Sequence, residues 1–351
     1  MTVSKIKIRP IRLLDKNQTG KFLKEVNVAV NSSFNPDNYR QVKGDIVRKV
    51  HSYLPLNWRF LQETYVAVDN KEIIGIIGLI HDCRLKQRWK INQLLLKPHS
   101  YEVGKLLIDY IVNKYGAEGV ETFLSEVDSG DTDAQDLFKN ACGFRQCTVN
   151  HLYQFNLEGK LPEEVILPDI RTVSLADNAK LFDLYLECLT PQTKISLEKS
   201  VEDFSFSLTK SIKDKINGLS TESWILENPE NKSAIAYATS TTTDNRVFYI
   251  NIITSLPYTE YFRDILYYLA RYAGLKNKNS TLLINICEAI QGHKKYAEIL
   301  KDIGIPDIQT TYVLVKDYWR PLKERKPIAT PIIIFPEGTS PACNSLNMVK
   351  K

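Results

Sequence analysis

The sequence IRPIRLLD, residues 8–15, returns as IRTVSLAD at residues 170–177, an interval of 162 residues. Further matches keep their order at nearly the same interval: Pro98 with Pro257, Gly143 with Gly304, and Tyr153 with Tyr312. One match of this kind carries no weight, but an ordered series at a steady spacing indicates an internal duplication. The length of 351 residues also fits two domains of ordinary size.

Each half contains the same order of predicted elements. The first begins with a strand (6–13), a helix from Asp15 and an amphipathic segment (39–61). It continues with a hairpin (65–81), a strand (89–96), a helix (103–115), a strand (122–127), a helix (134–141) and a strand (145–155). The second half repeats this order over residues 170–315, with adjacent helices predicted at 178–189 and 201–216. We predict domains at 1–158 and 169–318, a linker at 159–168 and a tail at 319–351.

Composition excludes several classes of protein. Hydrophobic residues make up 43% and charged residues 25%, which is typical of globular proteins and not of disordered chains. The net charge of +5 is spread without a run of five like charges, so we expect no nucleic-acid partner. The longest apolar stretch, residues 73–80, is too short to span a membrane, so we expect no membrane partner. Six cysteines without a CxxC pair indicate free thiols and a cytoplasmic protein.

Two segments of the first half resemble the Gcn5-related N-acetyltransferase (GNAT) family. Residues 65–75, YVAVDNKEIIG, look like the family's xVAxxxxxIVG hairpin, and residues 133–144, DAQDLFKNACGF, resemble its late helix with the terminal Gly-Phe. The resemblance covers about residues 5–157 and, more faintly, 168–317. It implies an α/β (α+β) fold with two tandem GNAT-like domains, each a mixed, mostly antiparallel central sheet flanked by helices. It also implies acetyl-CoA as the cofactor.

The resemblance implies where the cofactor binds. GNAT proteins splay two central strands around the pantetheine arm and place the pyrophosphate at a helix N-terminus, where the helix dipole favours anions. The cofactor-binding positions here are Leu95, Leu96, Lys97, Val103, Gly104 and Lys105. The family signature Gln/Arg-x-x-Gly-x-Gly/Ala is only partly met, since His99 replaces Gln or Arg and Glu102 replaces the first glycine. Residues 257–263 of the second half have no glycine, so we expect cofactor binding in the first half.

The resemblance also implies candidate catalytic residues. Many GNAT members have a tyrosine in the late helix that protonates the departing thiolate, but Phe138 lies nearest that position here. A carboxylate on a central strand is the usual general base, and Glu126 and Asp128 at a strand end are the candidates. Tyr101 and Tyr153 are alternative acids.

Two motifs suggest other chemistry. Cys142, Cys147 and His151 have a spacing that invites a metal site, but a closed zinc site needs a second close pair, so we expect no metal. Residues 335–340, FPEGTS, resemble a block of glycerolipid acyltransferases. Those enzymes also need a His-x4-Asp motif, which is absent from this sequence.

The sequence therefore predicts an acetyl-CoA-dependent N-acyltransferase whose N-terminal domain holds the cofactor. Its acceptor is an unidentified amine on a small molecule or a peptide. The alternative is a catalytically silent tandem scaffold that binds a metabolite or a protein partner. The oligomeric state, the general acid and the role of the tail stay open.

Overall fold

A computed structural model describes residues 6–26, 63–82, 88–98, 100–159, 162, 164–167, 169–204 and 219–318. These residues belong to one compact unit, Met1–Trp319. The predicted segment 39–61, the 319–351 tail and most of the helix predicted at 201–216 lie outside the described residues. No helix within the described ranges combines the length and the apolar character needed to cross a bilayer.

The first half contains six strands and three helices among its described residues. They follow in the order β1 (Lys7–Pro10), α1 (Lys16–Glu25), β2 (Glu63–Asp69), β3 (Glu72–His81), β4 (Arg88–Leu96), α2 (Tyr101–Glu118), β5 (Thr122–Asp128), α3 (Thr132–Asp136) and β6 (Arg145–Asn156). Helix α3 continues as a π-helical turn, Leu137–Ala141. The left-handed residue Gly119 ends α2, as expected for a glycine at a helix C-terminus.

The described residues of the second half follow the same order, and they include a short helix between the first helix and the second strand of this half. The elements are β7 (Ile170–Thr172), α4 (Asn178–Cys188), α5 (Pro191–Leu197), β8 (Ser220–Glu227), β9 (Ala234–Thr242), β10 (Val247–Thr254), α6 (Tyr261–Lys276), β11 (Thr281–Cys287), α7 (His293–Ile303) and β12 (Asp307–Asp317). The sequence analysis did not predict the short helix α5, which begins with Pro191 in its first turn.

The two halves share one sheet with the strand order β1-β2-β3-β4-β5-β12-β6-β11-β10-β9-β8-β7. Among the described strands, only the pairs β4–β5 and β10–β11 are parallel, which confirms the mixed, mostly antiparallel sheet. The halves exchange their last strands, because β12 lies between β5 and β6, and β6 lies between β12 and β11. The sequence analysis predicted a separate central sheet in each domain and did not predict this exchange.

The exchange creates a pseudo-twofold axis at the middle of the sheet. Asn150 of β6 pairs with Thr311 of β12. Thr311 also pairs with Asp128 of β5, and Asn150 pairs with Cys287 of β11. Each half therefore makes the same contacts with the other.

The opening repeat makes the same ion pair in both halves. Two guanidinium nitrogens of Arg9 donate to the carboxylate of Asp15 at 2.6 and 2.7 Å. Arg171 and Asp177 are joined in the same way at 2.8 and 2.7 Å. Each carboxylate also accepts from a backbone amide three residues earlier, Arg12 or Ser174. The repeated residues thus fasten the first strand of each half to the helix that follows it.

Helices cover both faces of the sheet. In the first half, Leu107, Ile108 and Ile111 of α2 are fully buried in a core that continues to Phe123 of β5. Phe22 of α1 packs in a separate cluster with buried side chains of β2, β3 and β4, among them Leu95. In the second half, α4 and α6 contribute to one larger core.

Candidate functional site

Strands β4 and β5 separate over half of their length. Their parallel pairing runs from Arg88 with Thr122 to Ile91 with Ser125, and β4 then continues over residues 92–96. The pairing of β3 with β4 shifts by one residue around Asn92, which marks a β-bulge at the start of the separation. The gap beyond Ile91 and Ser125 is called the N-terminal wedge below.

The backbone of β4 places one amide toward this wedge. The Lys97 amide donates to the carbonyl of Ile74 in the neighbouring strand β3 at 3.3 Å. Amides alternate in direction along a strand, so the Leu96 amide faces the wedge and the Leu95 amide faces β3. Of the three predicted residues on this segment, Leu96 is the one with a wedge-facing amide. The side chain of Leu95 is buried against α1, and that of Lys97 pairs with Glu25 and Glu72.

Helix α2 begins next to the end of β4. The amides of Val103 and Gly104 both donate to the carbonyl of Ser100, at 3.0 and 3.2 Å. Tyr101 and Glu102 are the first residues of the helix, so no helix carbonyl lies one turn before them to accept from their amides. A β-carbon on Gly104 would lie 2.7 Å from Leu96 Cδ1 and 2.9 Å from Leu137 Cδ2. A residue larger than glycine would therefore have to displace the ends of the Leu96 and Leu137 side chains.

Acidic side chains accompany this helix N-terminus. Tyr101 donates its hydroxyl to Asp136 Oδ2 at 2.5 Å, and Asn140 donates to Asp136 Oδ1. The Asp136 hydrogen bond raises the pKa of Tyr101 to about 12. Glu102 is exposed in the first turn of α2, and Lys105, half-buried, lies one residue after Gly104.

The corresponding wedge of the second half contains a tyrosine. Strands β10 and β11 pair as far as Asn251 with Asn285, so the gap opens later than in the first half. The amide of Thr254 at the end of β10 donates to Tyr296 Oη at 3.1 Å, and the Thr254 hydroxyl lies 2.8 Å from the same oxygen. The ring of Tyr296 is 1% exposed and stacks on Phe262. The side chain of Tyr296 therefore closes the wedge of the second half.

The residues of the two wedges correspond through their backbone hydrogen bonds. Ser255 donates to Ile235 as Lys97 donates to Ile74, so Thr254 occupies the place of Leu96.

In the late helices, Phe144 donates to the carbonyl of Phe138 and Ile305 to that of Leu300. These bonds make Phe138 and Leu300 equivalent. One helical turn before each of them lie Ala134 and Tyr296, so Tyr296 corresponds to Ala134, which is fully buried. The sequence analysis missed Tyr296. The signal that could have identified Tyr296 is its place in the late helix of the second half, because the family resemblance implies a tyrosine in the late helix.

Glu126 lies at the mouth of the N-terminal wedge. It is the residue of β5 that follows the last parallel pair with β4. Its Oε1 lies 2.9 Å from Lys90 Nζ, and the Glu126 side chain is 18% exposed. The other predicted carboxylate, Asp128, holds a turn: Oδ1 accepts from the Gly130 amide at 2.7 Å and Oδ2 from Gln309 Nε2 at 2.6 Å.

The remaining candidate residues lie elsewhere. Phe138 is fully buried against Phe144. Tyr153 is buried on β6, opposite Ile284 of β11. Within the described part of the chain, no group of three or more His, Cys, Asp or Glu side chains is arranged to hold a metal ion. His99 and residues 335–340 lie outside the described residues.

Solved structures with the same architecture exist at low sequence identity. A tandem GNAT protein from the clavulanic acid biosynthesis pathway is 13% identical, with a TM-score of 0.59 over 90% of this chain and 100% of that chain. A GCN5-related N-acetyltransferase from Sphaerobacter thermophilus is 11% identical, with a TM-score of 0.58 over 90% and 96% of the two chains. A putative acetyltransferase from Pyrococcus horikoshii is 12% identical, with a TM-score of 0.50 over 90% and 91%.

No protein-family model matches the sequence. No curated protein matches it either. The similarity is one of architecture, and it extends through both halves of the chain. The chain has the tandem GNAT fold, as the residues 65–75 and 133–144 predicted.

Proposed function

We propose that the protein is an acetyl-CoA-dependent N-acyltransferase with one cofactor site, in the N-terminal wedge. The observation that carries this proposal is the difference between the two wedges. The Leu96 amide faces the N-terminal gap, whereas the corresponding Thr254 amide donates to the built-in hydroxyl of Tyr296. In the first half the equivalent of Tyr296 is Ala134, whose side chain ends at the β-carbon.

The residues of the N-terminal wedge fit the acyl end of the cofactor better than its diphosphate end. A backbone amide directed at a carbonyl oxygen stabilises the negative charge that develops there during acyl transfer. The Leu96 amide has this orientation. Among the described residues at the start of α2, the amides of Tyr101 and Glu102 are the ones that donate to no helix carbonyl. Two carboxylates belong to the same region, since Glu102 is in the first turn of α2 and Asp136 accepts from the Tyr101 hydroxyl.

Bound acetyl-CoA would supply an activated acyl group, and this chain would supply orientation and proton transfer. The Leu96 amide would donate to the acyl oxygen, and the bond between the acyl carbon and the CoA sulfur would break as the new amide bond forms, so that CoA leaves as its thiolate. Glu126, at the mouth of the wedge, accepts the proton that the attacking amine loses. The ammonium group of Lys90, 2.9 Å from Glu126 Oε1, forms an ion pair with the carboxylate and holds its side chain at the wedge. Asp128 keeps the turn after β5 in place through its bonds to Gly130 and Gln309.

The acidic start of α2 favours a second candidate function. A carboxylate near a diphosphate is repulsive unless a cation compensates it. Glu102 occupies the position of a family glycine. Its neighbour Tyr101, in the same turn of α2, donates a hydrogen bond to the Asp136 carboxylate. A tandem scaffold that binds a metabolite or a protein partner, without catalysis, is the function that these residues support.

Calorimetric titration of the full-length protein with CoA tests the cofactor site, and thiol release from acetyl-CoA in the presence of a panel of amines separates the transferase from a scaffold that only binds. We expect one CoA per chain. Leu96→Pro removes the wedge-facing amide and should weaken binding by at least tenfold, while the matched Leu96→Ala keeps the amide and should change affinity by less than threefold. Thermal melting checks that both variants are folded. Absence of binding at millimolar CoA would remove the transferase proposal and leave the scaffold.

A further inference from the structure

The hydroxyl of Tyr296 binds both backbone groups that Thr254 turns toward the wedge of the second half. The amide and the carbonyl of one strand residue point to the same side of the strand. Because the next residue, Ser255, donates to Ile235 of β9, both groups of Thr254 face away from β9. Tyr296 Oη accepts from the Thr254 amide at 3.1 Å and donates to the Thr254 carbonyl at 3.2 Å. One side-chain oxygen therefore uses the donor and the acceptor at the end of β10.

These hydrogen bonds are shielded from solvent. Thr254 is fully buried, and the ring of Tyr296 lies 4.4 Å from the ring of Phe262, with 13° between the two planes. Buried backbone groups need partners from the protein or from a ligand. The Thr254 carbonyl also accepts from Cys188 Sγ at 3.2 Å, so the amide is the group that relies on Tyr296.

The first half presents the same backbone groups without such a side chain. Since Lys97 donates to Ile74 of β3, the amide and the carbonyl of Leu96 both face the N-terminal wedge. The residue equivalent to Tyr296 there is Ala134. A strand end with an amide and a carbonyl on one side recognises an extended chain of amides, whose carbonyls accept and whose NH groups donate. Tyr296 gives Thr254 the two hydrogen bonds that such a ligand would give Leu96.

The turn before α7 brings Tyr296 to this place. Gly292 precedes the helix with a φ of +88°, in the left-handed region that favours glycine. A β-carbon on Gly292 would lie 2.8 Å from Thr259 Cγ2 and 3.5 Å from the ring of Tyr296. The turn therefore passes close to the start of α6, and Tyr296 enters the wedge one helical turn later. In the first half Asp131 caps α3 instead, and its side chain accepts from the Ala134 amide.

We infer that Tyr296 is a built-in occupant of an amide-binding site, and that its side chain keeps the wedge of the second half closed to ligands. Removing that side chain should open the wedge to the amide-bearing arm of the cofactor. The choice of this arm rests on the proposed function, whereas the closure by Tyr296 does not.

The test uses pantetheine as the probe, because it is the amide-bearing arm of CoA without the diphosphate. NMR of the 15N-labelled full-length protein follows the backbone amide of Thr254 during titration. We expect a saturable shift at millimolar pantetheine in Tyr296→Ala and no saturable shift in the parent. Tyr296→Phe is the matched control, because it keeps a ring in the wedge, and it should behave as the parent does. No saturable shift in a folded Tyr296→Ala, or equal binding by Tyr296→Phe or the parent, would overturn the inference.

Hydrogen exchange of the ligand-free protein tests the hydroxyl separately, in case Tyr296→Ala does not fold. The Thr254 amide should exchange at least tenfold faster in Tyr296→Phe than in the parent. The Ile253 amide, which faces Tyr237 of β9, should keep its rate. An unchanged Thr254 rate would contradict the role of the hydroxyl.

The inference and the proposed function can fail independently. Pantetheine at Thr254 of Tyr296→Ala, without CoA binding by the parent, would refute the transferase and support the closure by Tyr296. CoA binding by the parent, without pantetheine at Thr254 of a folded Tyr296→Ala, would refute the closure and spare the transferase.

Discussion

At the residue scale, single side chains distinguish two halves with the same backbone plan. Tyr296 occupies the wedge of the second half. Its hydroxyl accepts a hydrogen bond from the Thr254 amide, which is the equivalent of the Leu96 amide in the first half. By the pairing of the parallel strands, Asn285 occupies the position that Glu126 has in the first half. Both differences change the groups at the wedge of the second half while its backbone plan is retained. The conserved plan is visible at Arg9 with Asp15 and Arg171 with Asp177, where the duplicated residues make duplicated bonds.

The Arg171–Asp177 pair leads to a prediction on acid stability. Hydrogen bonds from Arg171, and then from the amide and hydroxyl of Ser174, hold the pKa of Asp177 well below its ordinary value. A depressed carboxyl pKa adds stability above the unfolded-state pKa of about 3.9 and loses it as the pH falls through the folded-state pKa. Asp177→Asn should therefore lower the free energy of unfolding by about 2–3 kcal/mol at pH 7 and by somewhat less at pH 3, where the unfolded-state carboxyl is already protonated but the folded-state carboxylate is still charged.

Urea unfolding at the two pH values measures this difference. Asp183→Asn serves as the control, because Asp183 is an exposed residue of the adjacent helix α4, and it should change stability by less than about 0.5 kcal/mol. An equal loss at pH 7 and pH 3 in Asp177→Asn would show that the ion pair is not the source of the effect.

At the element scale, the ends of β4, α2 and α3 form the N-terminal wedge together. The bulge at Asn92 ends the pairing of β4 with β5, and Gly104 lets α2 approach Leu96 and Leu137 closely. Gly104 was predicted as a cofactor residue from its place in a motif. Its tight packing is an additional reason for a glycine there, and one that does not depend on a cofactor.

Two glycines in helices should respond to the same substitution with opposite signs. Gly104→Ala places a β-carbon 2.7 Å from Leu96 Cδ1, so it should destabilise the protein by about 1–3 kcal/mol. Gly20→Ala lies on the exposed surface of α1 with no atom within 4 Å of the added carbon, so it should stabilise by up to about 1 kcal/mol. Chemical denaturation of both variants measures the two changes. A neutral Gly104→Ala would show that Leu96 and Leu137 give way at little cost.

At the scale of the whole molecule, the exchange of β6 and β12 makes each half depend on the other. Removing the second half would take β12 from between β5 and β6 and expose the edges of both strands. Unpaired strand edges bind other chains and promote aggregation. The pocket around Leu152 exists only in the joined sheet, because Glu126 and Asn150 come from the first half and Asn285 and Thr311 from the second.

Separating the halves tests this dependence. Residues 1–168 and 169–351, expressed alone, should each fail to give a dispersed NMR spectrum, and mixing them during refolding should restore it. The intact chain should unfold in one calorimetric transition whose van't Hoff and calorimetric enthalpies agree. Two transitions, or a folded N-terminal half on its own, would contradict the prediction.

Local patterns in the sequence determined the duplication, the order of the elements and the GNAT-like plan of each half. Hydrophobic periodicity, turn residues and helix caps act over a few neighbouring residues, so they can be read without the fold. The same information located Glu126 and Leu96 on the strands that flank the N-terminal wedge.

Only the tertiary structure decided which strands pair and which side chains meet. Strand exchange leaves the local pattern of β6 and β12 unchanged, because a strand alternates in the same way whichever neighbour it pairs with. The closure of the second wedge by Tyr296 and the pocket that Glu126, Asn150 and Asn285 line together join residues that are far apart in sequence. Such contacts arise from packing between distant segments, for which the sequence has no local code.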